Sequence, residues 1–185
     1  MIRYFLALGL SCIVILGWAG PSWAYIEADV DMLLTTKDCP VCILLDADLA
    51  DADLAGADIK IAELSNANLS RADLTGADLF AANLAGATLE EALLSNANLA
   101  QVDLTQSDLR NAQLMGAYLG QANLTEANLQ GANLENADWT GAILQQTNLK
   151  DANLVGTTLR GIDIRQAVLC NTVMPNGDLS RRDCS

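Results

Sequence analysis

The chain has no histidine, and its 185 residues hold only 3 prolines, 2 phenylalanines, 3 tyrosines and 3 tryptophans. Without histidine it lacks the side chain that titrates nearest neutral pH and the commonest metal ligand, which removes most acid–base and zinc designs. Positive charge is also scarce. Ten Lys and Arg against 23 Asp and Glu leave a formal charge of −13, so the basic footprint of a nucleic-acid binder is missing. No Ser or Thr stands beside a base partner, and no glycine-rich loop could cradle a phosphate. We therefore expect no catalytic residue, no cofactor and no metal site. An acidic balance of this kind speaks first for solubility.

What is present is a repeat. From Leu44 to Leu169 an apolar residue falls on every fifth position; 23 of these 26 positions are Leu, and the others are Ile59, Trp139 and Ile164. Two residues before each stands a residue that is Ala at 20 of the 26 positions, as in Ala72-Asp73-Leu74-Thr75-Gly76. A period of five matches neither an α-helix nor a flat strand. It matches a chain that turns a corner every five residues, with Leu and the preceding Ala inward. Each such unit can bury its apolar face only by stacking on its neighbours, so the architecture is a solenoid. Sorting the second residue after each Leu at a spacing of 20 gives the uniform column Gly56, Gly76, Asn96, Gly116, Asn136, Gly156. Gly and Asn tolerate the positive φ that a type II turn requires at its third residue, so this corner is expected to be type II in every coil.

These motifs resemble the pentapeptide-repeat family, whose pattern is Ala, Asp or Asn, Leu, a small or polar residue, then often Gly. The resemblance implies an all-β fold, a right-handed quadrilateral β-helix with four pentapeptides per coil. Twenty-six repeats would give about six and a half coils and a rod about 30 Å long. A narrow core of stacked Leu and Ala leaves outward surface and no internal pocket. The expected organisation is a signal peptide over 1–24, a short N-terminal capping helix over 25–38, the β-helix over 39–173 and a C-terminal cap over 174–185.

The ends carry their own signals. Arg3, the apolar run from Tyr4 to Leu16 and Ser22-Trp23-Ala24 read as an export signal cleaved after Ala24. The apolar run falls short of the ~20 residues that a membrane span needs, so no stable membrane insertion is expected after cleavage. Cys12 follows a poor lipobox, Gly9-Leu10-Ser11. Ile26, Val30, Leu33 and Leu34 fall at helical spacing and would lie on the open first coil, hiding its strand edges. Cys39-Pro40-Val41-Cys42 then enters the repeats. Glutaredoxin-like enzymes use Cys-Pro-x-Cys at a helix N-terminus within a βαβ pattern, a context missing here. A structural disulfide or a pair of ordinary thiols is the plainer reading of Cys39 and Cys42, with a redox pair as the alternative. Helix, Cys-x-x-Cys and repeats in that order resemble the exported cyanobacterial members of the family. So does the tail, where Cys170, Met174-Pro175, Gly177 and Cys184 follow one another; it implies a bridge from Cys170 to Cys184 that folds the tail over the last coil and keeps the rod monomeric.

On the outer surface the residue before each Leu is usually Asp or Asn. Neighbours in adjacent coils lie roughly 4.8 Å apart, so Asn133 over Asn153 should form an amide ladder, while Asp53 facing Asp73 and Asp58 facing Asp78 should repel and raise one carboxyl pKa of each pair. Asp46, Asp48, Asp51, Asp53, Asp58 and Glu63 crowd the first coils, with Arg160 and Arg165 near the far end. A calcium site is one reading of those oxygens, and a solvated acidic face is the plainer one. Phe80 and Tyr118 occupy outward positions, with Ile61 beside the coil of Phe80; together they form the candidate partner surface, against the plainer view that scattered apolar side chains need no partner. Trp139 takes a Leu position and is expected to turn partly outward to avoid overpacking.

The leading expectation is a non-enzymatic structural or interaction protein with an unidentified protein partner, no nucleic-acid partner, and a place in the thylakoid lumen or periplasm. The resemblance also implies an alternative, an acidic DNA mimic that inhibits a type II topoisomerase, although an exported protein would not meet that cytosolic enzyme. A redox protein using Cys39 and Cys42 is the second alternative.

Overall fold

The computed structural model describes residues 23–184. The backbone winds so that residues 20 apart pair in parallel, from Asp38 with Asp58 through Asn98 with Tyr118 to Asn153 with Val173. A 20-residue coil holds four pentapeptides, and so has four sides. On each side the Leu amide donates to a carbonyl of the next coil, as from Leu99 to Tyr118 at 2.7 Å. The outward residue before the Leu donates back to the previous coil, as from Asn98 to Ala77 at 2.9 Å. The chain turns before a longer strand can form, so the ladders are rows of single bridges and together make a β-helix solenoid.

Each corner from Val41 to Gly156 is a four-residue turn closed by a hydrogen bond, such as Ala57 N–H to Leu54 O at 3.0 Å. Its third residue has positive φ at every corner from Val41 to Gly161. The expectation of one type II column was therefore too narrow. Gly56 and Gly76 adopt φ of 69° and 66°, but Arg71, Glu91 and Ile61 adopt 58°, 60° and 56°. Closure of a five-residue side dictates the turn, and the local preference for Gly is only a secondary influence.

The inward columns are buried throughout the middle of the rod, Leu and Ala alike. Where a hydroxyl replaces Ala it finds a carbonyl: Ser107 Oγ donates to Leu104 O, and Thr147 Oγ1 to Leu124 O, both at 2.7 Å. Such bonds let a small polar residue stand in a dry column. Trp139 departs from expectation. Its side chain is fully buried and does not turn outward. Leu159, one coil further on, is only partly buried.

Both ends are covered. Helix α1 (Trp23–Thr36) begins within the segment read as the export signal, whose first 22 residues lie outside the described residues. It stops where Lys37 takes φ of 56° and donates its amide to Leu33 O. Leu33 is buried against the first coil and Val30 partly so, and the Asp29 carboxylate accepts the Ile43 amide at 2.7 Å. Leu34, expected on that buried face, is 46% exposed; the Ile26 side chain lies outside the described residues. Cys39, one pentapeptide before Leu44, and Cys42, two residues before it, both point inward and are joined with a Cα separation of 5.5 Å.

At the far end the backbone slips although the sequence repeat does not. Gln146 donates to Gln166, 20 residues on, where other corners donate 19 residues on. A 3-10 turn, Ile164–Gln166, replaces the corner there and leaves Ile162 and Ile164 half-buried. No further coil stacks on this side, so nothing enforces the repeat geometry. The tail folds back: β1 (Thr172–Val173) pairs antiparallel with β2 (Leu179–Ser180) around Pro175-Asn176-Gly177. Cys170 is joined to Cys184, with a Cα separation of 4.8 Å.

Candidate functional site

With the core filled, the chemistry of the rod lies on its outward columns. The side-chain oxygen of the residue before a Leu accepts the amide two residues on, as in Thr75 N to Asp73 Oδ1 at 2.9 Å and Val155 N to Asn153 Oδ1 at 3.1 Å. This small turn satisfies an amide that has no partner in the ladders, which explains the preference for Asp and Asn. The same Asn residues form ladders: Asn153 donates to Asn133 at 3.3 Å and Asn148 to Asn128 at 2.9 Å.

The stacked acids do not stand unscreened. Lys60 Nζ lies 2.8 Å from Asp58 and 3.2 Å from Asp78, and Lys37 lies 2.7 Å from Asp53. The hydrogen bond from Lys60 holds the Asp58 carboxyl below the usual carboxylate range, and that from Lys37 does so for Asp53, helped by the Ala55 amide. Arg71, one coil from Asp51, lowers the Asp51 carboxyl by a two-point hydrogen bond. The repulsion expected to raise one carboxyl of each pair is countered at Asp53 and Asp58, because a cation from an adjacent position reaches each of these carboxylates. Among the described residues no group of three His, Cys, Asp or Glu is arranged to hold a metal ion. No helix among them is long and apolar enough to cross a membrane.

Phe80 and Tyr118 come together across one side of the rod. Between them, in the column of Phe80, the next two coils carry only Ala100 and Gly120. The result is a surface hollow of about 350 Å³, lined by both rings, by Ala100 and Gly120, and by the amides of Asn96, Gln101 and Gln121. The Tyr118 ring lies over Gly120: a Cβ there would sit 2.9 Å from the phenolic oxygen. Tyr118 is 48% exposed and Ile61 53%, while Phe80 and Gly120 are more covered. Ile61 does not line the hollow, but it adjoins it at the neighbouring corner, where its amide donates to Phe80 O. The part played by Ala100 and Gly120 was invisible in the repeat pattern, where both are ordinary small residues. The spacing Tyr118-x-Gly120 was the signal that could have revealed it.

Comparison with known proteins gives a consistent picture. The model of pentapeptide repeats matches residues 42–79, 82–121 and 122–161. Among solved structures the chain is 36% identical to HetL from the cyanobacterium Nostoc sp. strain PCC 7120, described as involved in heterocyst differentiation regulation; the match covers 77% of this chain and 70% of that one, with a TM-score of 0.47. A second Nostoc PCC 7120 pentapeptide repeat protein is 38% identical over 63% of this chain and 79% of its own, with a TM-score of 0.30. A pentapeptide repeat protein from the Arabidopsis thaliana thylakoid lumen is 30% identical over 60% of this chain and 67% of its own, with a TM-score of 0.28. No curated protein matches the chain. Members of this family are generally non-enzymatic structural or interaction proteins. A repeat of five residues, a coil of 20 and a family model matching most of its length leave one assignment: the chain belongs to the pentapeptide repeat family.

Proposed function

We propose that this protein is a non-enzymatic interaction scaffold of an exported compartment, a right-handed quadrilateral β-helix that presents the Ile61, Phe80 and Tyr118 side to a protein partner. The observation that carries the reading is the contrast between core and surface. The Leu and Ala columns are filled, while one outward side holds an aromatic-walled hollow with no charged residue among its lining. With the inward columns filled by Leu and Ala among the described residues, the outward surface is where the rod can meet a partner.

Export is supported by the Arg3 to Ala24 signal pattern, by two disulfides and by the lumenal relative. Thylakoid lumen or periplasm is the proposed location, and the mature chain is proposed to be a monomer capped at both ends. The topoisomerase reading is not favoured, because Lys37, Lys60 and Arg71 pair with the very acids that a DNA mimic would present. A redox role is not favoured either, since Cys39 and Cys42 are joined and buried beneath α1.

The test is photocrosslinking in the native compartment from two positions. A crosslinker at Tyr118 should trap a discrete partner, while one at Gln130, ten residues on from Gly120 and so half a coil away on the opposite side of the rod, should not. Equal yields from the two sides would refute the assignment of this face.

A further inference from the structure

The hollow does not end at Phe80. One coil back its side meets the corner of Ile61, and one coil further the corner of Val41, which is 65% exposed. Val41 and Ile61 are the only β-branched residues at the corners from Val41 to Gly161, where φ is positive throughout. A branched Cβ at positive φ is strained, and most other corners avoid this with Gly, Asn or unbranched polar residues. Neither side chain gains core packing in return, since both face solvent. Strain kept at two stacked, exposed apolar corners points to a use other than folding.

Charge narrows the use. The chain carries −13, yet none of the residues lining the hollow is charged. The polar groups there are amides and hydroxyls. Gln101 Nε2 donates to Gln121 Oε1 at 3.4 Å, which leaves the Gln101 carbonyl and the Gln121 amide hydrogens for other partners. One peptide group, with one donor and one acceptor, matches that pair. From the coil of Val41 to that of Thr140 the strip spans five coil steps, about 24 Å, and the charged residues beside its Ile61 corner, Asp58, Lys60 and Asp78, are paired with one another. A small molecule would fill the hollow but not the corners.

We propose that the Phe80–Tyr118 hollow and the Val41–Ile61 corners form one docking strip for an uncharged peptide segment of a partner protein, which seats an aromatic or branched apolar side chain against Ala100, between the Phe80 ring and the Tyr118 ring that covers Gly120. This rests on the interaction reading above and adds the chemistry of the partner. The hollow supplies the desolvated socket in which anchor residues concentrate binding energy, and the corners extend the contact along the segment.

Random-peptide phage display on the mature chain tests it. The expected outcome is enrichment of uncharged peptides with an aromatic or branched apolar anchor, whose binding falls about tenfold or more in Ala100→Leu and in Tyr118→Ser. Ala100→Leu fills the floor in a column that already accepts Lys60 and Phe80, so the variant should fold; circular dichroism checks this. Ile61→Asn separates docking from structure. It should weaken the same peptides while raising the thermal midpoint, because Asn tolerates the corner geometry that Ile resists. A lower midpoint with unchanged binding would make Ile61 structural and overturn the proposal. Enriched peptides that are charged and indifferent to Ala100→Leu would overturn it while leaving the interaction reading intact. No enrichment over the Tyr118→Ser control would overturn both. Concentration-dependent dimerisation lost in Ala100→Leu would assign the strip to a second copy and overturn the hetero-partner.

Discussion

Asp183 and Leu169 clasp each other at the C-terminal end. The Asp183 amide donates to Leu169 O and the Leu169 amide donates to the Asp183 carboxylate, both at 2.8 Å. These contacts satisfy both backbone groups of a residue on the last coil that has no coil beyond it to pair with. Arg182 adds donors to Ala167 O and Ile164 O. The Cys170–Cys184 bridge holds this clasp in place, one residue C-terminal to each partner. Peptide mapping without reductant should therefore recover Cys170 linked to Cys184. A loop of this length contributes about 3 kcal/mol in the chain-entropy model. Cys184→Ser should lose much of that, speed hydrogen exchange at Val168 to Val173, and promote end-to-end association through the exposed edge. Unchanged exchange would mean that Arg182 and Asp183 suffice.

In the middle of the rod the inward columns should dominate stability. Leu99 and Leu124 are fully buried, and Leu→Ala at either should cost about 2–5 kcal/mol in denaturant unfolding. Gln130→Ala, on an outward column, should stay within about 0.5 kcal/mol. Comparable losses at both kinds of position would contradict the burial of the Leu columns.

The contrast between these columns also shows what the sequence could reveal. Leu at every fifth position was legible because each coil imposes the same inward demand, so one rule is repeated until chance is excluded. Pairings across coils were legible wherever counting by 20 sufficed, as for Asn133 and Asn153. Three features were not. The sign of the acid stacks depended on Lys60 and Lys37, which lie in other columns. Trp139 looked too large for its place because each site was judged alone, whereas the column position one coil on, Leu159, is only partly buried at the unstacked end. The slip at Ile164–Gln166 left no mark on the repeat, since apolar spacing persists where the stacking that enforces it has stopped. The docking hollow was half legible: Phe80 and Tyr118 stood out as aromatics, but its floor consists of what Ala100 and Gly120 lack.

The cations between the acid stacks fix the direction of the pH dependence. Asp51, Asp53 and Asp58 have folded pKa values below their unfolded ones, near 3.9, because hydrogen bonds from Arg71, Lys37 and Lys60 favour the charged form. A depressed carboxyl stabilises the fold above its unfolded pKa, and that contribution is lost as pH falls through the folded value. Denaturant midpoints should thus be flat near neutrality and decline below about pH 4. Lys60→Gln should reverse the local trend. With Asp58 and Asp78 left facing each other, repulsion raises a folded pKa, and stability should rise as pH drops from 7 toward 5. A variant that keeps the wild-type profile would show that Lys60 does not control this pair.

Trp139 offers an optical reading of the same end of the rod. On the proposed cleavage after Ala24, Trp18 and Trp23 are lost and Trp139 is the single tryptophan that remains. Its indole is fully buried, and among the described residues its Nε1 is the one buried side-chain nitrogen or oxygen without a hydrogen-bond partner. Emission should therefore be blue-shifted and poorly quenched by acrylamide in the native state. The unpaired N–H carries a desolvation penalty of about 1–3 kcal/mol, whereas replacing the indole by a smaller ring forfeits packing of similar size. Trp139→Phe should accordingly change stability by no more than about 1 kcal/mol in either direction, although large aromatic truncations in cores usually cost more. Cys184→Ser should shift the emission of Trp139 to the red before global unfolding, because the coil that covers the indole is the one that the C-terminal bridge holds down. Emission that moves only with the global transition would place the fraying beyond Leu159.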